Sequence, residues 1–321
     1  MTGFVQQTIE LSRIDASYDE LLIVGTNDGL LLFSKSEQRT ELEDRNITAI
    51  APSRNGVWVV VDRKSVWHRD DRGEWQLVTS TIQDLQLNCI EPLNGKVLAG
   101  TSDAHLLWVA HGSIEFINSF DLVSGRVKWY TPWGGPPSVR SLAVGHSGEL
   151  YANVHVGGIL RSKDRGRSWQ PTIDLHSDVH QVLTVPDRPS FVLAATAKGL
   201  ATSIYGGDSW SFDQANLHAT YSRAVAVCGK TILMSTSVGP SGAKAAIYRR
   251  SLDQPGTFEK CEQGLPQWFS NNIDTASLTA LKDKAAFGTS DGQLFVSEDA
   301  GLTWKQLASG LPSIHCLTFL H

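Results

Sequence analysis

The chain has 321 residues, 41% of them hydrophobic, with 28 Lys and Arg against 33 Asp and Glu and a formal net charge of −5. That balance leaves no electrostatic footprint for DNA or RNA, and no stretch approaches the roughly eighteen apolar residues of a membrane-spanning helix. No nucleic acid and no membrane are therefore expected as partners.

Residues 1–13 are polar and lack the basic start and apolar run of a secretory signal. Cys89, Cys228, Cys261 and Cys316 lack metal-type spacing and read as reduced, buried thiols, so the expected location is cytoplasmic. Residues 5–14 alternate like a strand and are expected to form an added edge strand or cap. From there on, two kinds of apolar run alternate along the chain. One is rich in small and β-branched residues and often ends in Gly-Thr: 22–26, 57–61, 97–101, 150–154, 192–196, 232–236 and 285–289. The other precedes it by a few residues: 47–50, 87–90, 139–142, 179–182, 222–225, 278–281 and 314–317. The last run of this second kind has no partner after it, and the first run of the first kind has none before it. The two ends are expected to pair.

A second periodicity is superimposed on the first. Ser162-Lys-Asp164-Arg-Gly166-Arg-Ser168-Trp169 returns as Ser297-Glu-Asp299-Ala-Gly301-Leu-Thr303-Trp304 and, with Tyr205 replacing the aspartate, as Ser203 to Trp210. Looser copies carry His68, Asp70, Gly73 and Trp75, and Ser251, Asp253, Gly256 and Phe258. In such a turn the aspartate can accept backbone N–H groups, the glycine supplies a positive φ, and the tryptophan returns to the apolar layer. The copies start 94, 41, 48 and 46 residues apart, the first interval being about two periods of 47, which suits four-stranded propeller blades.

The pattern Ser-x-Asp-x-Gly-x-Thr-Trp resembles the Asp-box, or BNR, repeat of β-propellers, a family that includes sialidases and WD40/YVTN-like non-enzymes. The resemblance implies hairpin corners between the third and fourth strands of each blade, remote from the axis. The expected fold is all-β: a seven-bladed β-propeller of four-stranded antiparallel blades over residues 1–321. The C-terminal strand would lie innermost beside three N-terminal strands. Sialidases use an arginine triad, a tyrosine activated by a glutamate, and an aspartate acid/base. Here Arg13-Ile14 is followed by Asp15 rather than proline, and Glu91 and Glu149 are expected toward the opposite face, so no sialidase residues carry over.

The second residue of each innermost run is expected to face the channel: Thr48, Asn88, Arg140, His180, Arg223, Thr279 and His315. His155, leaving a second strand, and His176, Asp178 and Tyr221, entering innermost strands, should open on the same face. Two aromatic insertions, with Trp129, Tyr130 and Trp133 and with Trp268 and Phe269, should roof that mouth. Two chemistries fit. His155, His176, His180 and His315, with a carboxylate such as Asp178, could hold a divalent or transition metal ion. Alternatively, Arg140 and Arg223 grip an anionic small molecule, with His155, His180 or Tyr221 in acid–base roles. The competing expectation is a protein-interaction scaffold without catalysis, as in the photosystem-assembly and sortilin-like propellers that share the repeat.

Overall fold

The computed structural model describes residues 21–35, 37–80, 85–131, 134–254 and 256–320. The expected edge strand at 5–14 lies outside them. Within them are seven four-stranded sheets, each an antiparallel meander running outward from the axis. We number the blades 1 to 7 by innermost strand: Ile47–Ser53, Leu87–Leu93, Val139–Val144, Val179–Thr184, Val225–Cys228, Leu278–Leu281 and Ile314–Leu320. Each innermost strand touches that of the next blade, and blade 7 touches blade 1, so the ring is closed. Closure is made by Ile314–Leu320 pairing with Leu21–Thr26, outside which lie Gly29–Phe33 and Gln38–Glu41. Joining both ends in one blade leaves no open seam in the ring.

Small residues near the end of the second strands have a steric cause. A Cβ at Gly25 would lie 2.8 Å from Ile47 Cγ2, and one at Gly288 would lie 2.4 Å from Ile314 Cγ2. Ile47 and Ile314, the first residues of the following innermost strands, are thus seated against the glycine backbone. Side chains at the third position of the blade 3 and blade 4 innermost strands, and Ser277 just ahead of that of blade 6, then bond the next blade. Ser141 Oγ accepts from Val182 N at 2.9 Å, Gln181 exchanges two 3.1 Å bonds with the Val225 backbone, and Ser277 Oγ donates to His315 O at 3.1 Å. These contacts satisfy buried backbone groups that the curved inner sheet edges would otherwise leave unpaired.

The octapeptide turns fall between third and fourth strands in all five copies. Asp164 Oδ1 accepts Ser168 N at 2.9 Å and Ser162 Oγ accepts Gly166 N at 2.7 Å; Asp299 and Ser297 repeat this with Thr303 and Gly301 at 2.8 and 2.9 Å. Gly166 and Gly301 have φ of +87° and +80°. Trp169 and Trp304 are buried, edge-on to Phe120 and Phe287. Gly206 N donates to Ser190 O, and Ala300 N to Asp283 O, which ties these turns to the inner hairpins at the end opposite the channel mouth.

Candidate functional site

One residue is skipped in the pairing of five innermost strands: Thr48, Asn88, Arg140, His180 and His315 each sit in a β-bulge between the first and third positions. A bulge leaves the extra residue unpaired and re-aims its side chain. In blade 5 the ladder proper starts only at Val225, but Ser235 N donates to Ala224 O, so Arg223 holds the equivalent place. Blade 6 departs from the expectation. Thr279 pairs with Ala286 inside the sheet, and Gly288 N donates to Ser277 O, which gives the channel position to Ala276 at φ +66°. At the first position Thr275 places its hydroxyl 3.1 Å from His180 O and 3.0 Å from Arg223 O, where five of the other six blades have an apolar residue and blade 5 has Ser222. The apolar run therefore begins three residues later.

The channel is a cavity of about 650 Å³ whose walls include Thr48, Asn88, Arg140, Arg223 and His315. Arg63, Asp274 and Glu91 also line it. Arg63 was hidden from the strand register because it follows a second strand in a left-handed turn, φ +57°, and reaches across to Asn88 Oδ1 and to Ser102 Oγ at 3.1 Å. Asp274 lies just ahead of blade 6 and accepts Arg223 Nη1 at 2.6 Å. Glu91, expected toward the opposite face, does lie beyond the bulge positions but faces the channel. Glu149 instead folds onto its own turn and accepts Ser147 N.

The arginines differ in their electrostatic state. Arg223 is compensated by Asp274 and has its guanidinium 5.5 Å from the Tyr221 ring centroid. Arg140 makes no ion pair among the described residues. Burial and the nearby Arg223 charge lower its pKa, while Tyr221, Asp178 and Asp274 act in the other direction.

Beside Arg140 stands a carboxylate flanked by two imidazoles. Asp178 Oδ1 is 3.6 Å from His155 Nε2 and 3.5 Å from His180 Nε2. His180 is fully buried, its Nδ1 donates to Ser222 O at 2.6 Å, and its ring packs 4.6 Å from that of Tyr221. Interaction with the His180 ring outweighs desolvation and holds the Asp178 carboxyl below its ordinary range. Burial, helped by the Arg140 charge, pushes His155 down to about 4, so this imidazole is neutral at pH 7. His315 is likewise lowered, chiefly by burial and then by Arg63.

His155, His180, Tyr221, Arg140 and Arg223 are thus brought to one side of the ring. His176 is not: it lies exposed on a single 3-10 turn, where its backbone N–H donates to Asp174 Oδ1 at 2.7 Å. His315 projects from blade 7. The four-histidine metal set is accordingly not assembled, and among the described residues no group of three or more His, Cys, Asp or Glu is placed to hold a metal ion. The aromatic roof is also corrected. Trp129 is buried against Phe120, Phe269 packs edge-on to Phe287 and Phe295, and Trp268 lies under Lys260 Nζ at 3.9 Å. Tyr130 points to solvent, and Trp133 lies outside the described residues.

No protein-family model and no curated protein sequence matches the chain. Solved structures match its fold at low identity. YCF48 from Cyanidioschyzon merolae is 13% identical with a TM-score of 0.61, covering 93% of this chain and 97% of that one. Selenomethionine-substituted virginiamycin B lyase from Staphylococcus aureus is 13% identical with a TM-score of 0.58, covering 81% and 83%. A chain of the mitotic checkpoint complex is 12% identical with a TM-score of 0.60, covering 100% and 93%. At these identities the likeness is one of fold.

Proposed function

We propose that the protein binds a small anionic molecule in its central channel, with Arg140 as the main anion contact and Arg63, Arg223 and His315 around it. The observation that carries this reading is Arg140 itself: a guanidinium facing a cavity of about 650 Å³ with no ion pair among the described residues. A desolvated, uncompensated cation is costly, and a carboxylate or phosphate supplies the bidentate partner that offsets the cost. The volume suits a small ligand. His155, neutral at pH 7, lies near Arg140 behind the cavity wall, so a base stands close to the head of a bound anion. Virginiamycin B lyase, among the similar folds, is by its name an enzyme. Calorimetric titration with small carboxylates and phosphates tests the reading. Saturable binding that disappears in Arg140→Ala supports it, and no saturable binding by any of them overturns it.

A second reading rests on a different surface. The insertion between blades 2 and 3 presents Leu122, Val127 and Tyr130 at 83%, 96% and 68% exposure. Apolar side chains this exposed suit a protein partner, as for a scaffold propeller. The likeness to a chain of the mitotic checkpoint complex accords with it.

A further inference from the structure

The channel is polarised along its axis. Arg63, Arg140, Arg223 and His315 lie toward one end, at the level of the bulges. Three residues further along the blade 2 strand, about 10 Å at the rise of a β-strand, the walls become Ile50, Pro52, Leu142 and Leu183, with one carboxyl among them, Glu91. Among the described residues Glu91 makes no hydrogen bond or ion pair, although the same strand level in blades 1 and 3 carries Ala51 and Ala143. A carboxyl set alone in an apolar wall of a ligand-sized cavity needs a partner that the protein does not supply.

We propose that Glu91 completes the ligand site: its carboxyl donates a hydrogen bond to a neutral acceptor at the far end of an elongated monoanion whose charged head sits at Arg140 and whose apolar body lies between. This deepens the anion-binding reading and rests on it. Desolvation in the channel pushes Glu91 up to about 7, so the neutral, donating form is available in mildly acid solution. The other charged groups facing the channel are Arg63, Arg140, Arg223, Asp274 and His315. The blade 1 innermost strand contributes no charge, that of blade 3 contributes Arg140, and burial lowers the pKa of His315. Glu91, near 7, changes its ionisation between pH 6 and 8.5, and its carboxylate form would repel the same acceptor.

The test is calorimetric titration with two probes that differ only in a terminal ketone, octanoate and 7-oxooctanoate. At pH 6 the keto acid should bind about fivefold more tightly, the worth of one net hydrogen bond. The advantage should vanish at pH 8.5 and in Glu91→Ala. It should persist at both pH values in Glu91→Gln, whose amide can still donate. Octanoate binding that depends on Arg140 but shows no ketone preference at pH 6, or a preference that survives Glu91→Ala, overturns the role of Glu91 and leaves the anion site standing. Failure of both probes to bind the wild type counts against both readings.

Discussion

Val139, the first residue of the blade 3 innermost strand, occupies the space a side chain on Gly100 would need: a Cβ there would lie 2.4 Å from Val139 Cγ1 and 2.8 Å from Cys89 Sγ. Gly100 has no positive φ, so the constraint is space alone. Gly100→Ala should therefore cost about 1–3 kcal/mol through overpacking. Val139→Ala in the same chain should recover part of that loss. Urea denaturation of the two single variants and the double variant checks both, and additive losses would show that the contact is not the cause.

The octapeptide missing its aspartate offers a stabilising change. Ser203 Oγ accepts Gly207 N at 2.8 Å as Ser162 and Ser297 do in their copies, but Tyr205 is exposed where Asp164 and Asp299 accept the backbone N–H and hydroxyl of the residue four places on in the same turn. Tyr205→Asp should restore bonds to Ser209 and raise stability by about 0.5–1.5 kcal/mol. A higher thermal midpoint in scanning calorimetry is the expected result; a lower one would mean that the neighbouring Asp208, already paired with Arg161, repels the new carboxylate.

The ring was readable because two constraints repeat along it. Second strands ending in Gly25-Thr26, Gly100-Thr101 or Gly288-Thr289 reflect the backbone contact with the next blade, and Ser-x-Asp turns satisfy their own hydrogen bonds locally. Both leave marks within a few residues. The channel positions were legible where an apolar residue precedes the bulge, as Val139 precedes Arg140 and Val179 precedes His180, and in blade 5 where the apolar run begins right after Arg223. The register failed in blade 6, where Thr275 replaces that apolar anchor with hydrogen bonds to residues far away in sequence. Arg63 and Asp274 lie in turns, outside any strand alternation. The metal expectation grouped histidines from different blades because they should open on one face, but the turn at Leu175–Ser177 carries His176 outward while Asp178, at φ +47°, turns toward His155 and His180.

Stability should depend on pH in opposite senses at two groups. Glu91 is raised from 4.5 to about 7, so between those values the unfolded chain is ionised while the folded one holds its proton. Its contribution is complete below about 4.5 and is lost as pH rises to about 7. His155 is depressed from 6.5 to about 4. Its contribution is complete above 6.5 and is lost as pH falls to about 4. Urea midpoints measured across pH 4 to 8 should therefore fall less with rising pH in Glu91→Gln than in wild type, and fall less with decreasing pH in His155→Gln. Curves parallel to wild type would show that neither group titrates as placed.

Arg140 and Arg223 should differ in what their removal does. Arg223 is bonded to Asp274 at 2.6 Å, so Arg223→Ala leaves a carboxylate uncompensated at the channel wall and should lower stability, with weaker anion binding through repulsion. Arg140 has no such partner among the described residues. Arg140→Ala should leave the thermal midpoint near or above that of the wild type while lowering affinity for a carboxylate by at least about tenfold, the worth of a charge-assisted hydrogen bond. Removing Asp274 together with Arg223 should restore most of the lost stability, because both members of the pair are then gone. Calorimetric affinity and thermal unfolding on the three variants separate the roles. If Arg140→Ala unfolds at markedly lower temperature than Arg223→Ala, Arg140 is the structural cation and Arg223 the exposed one.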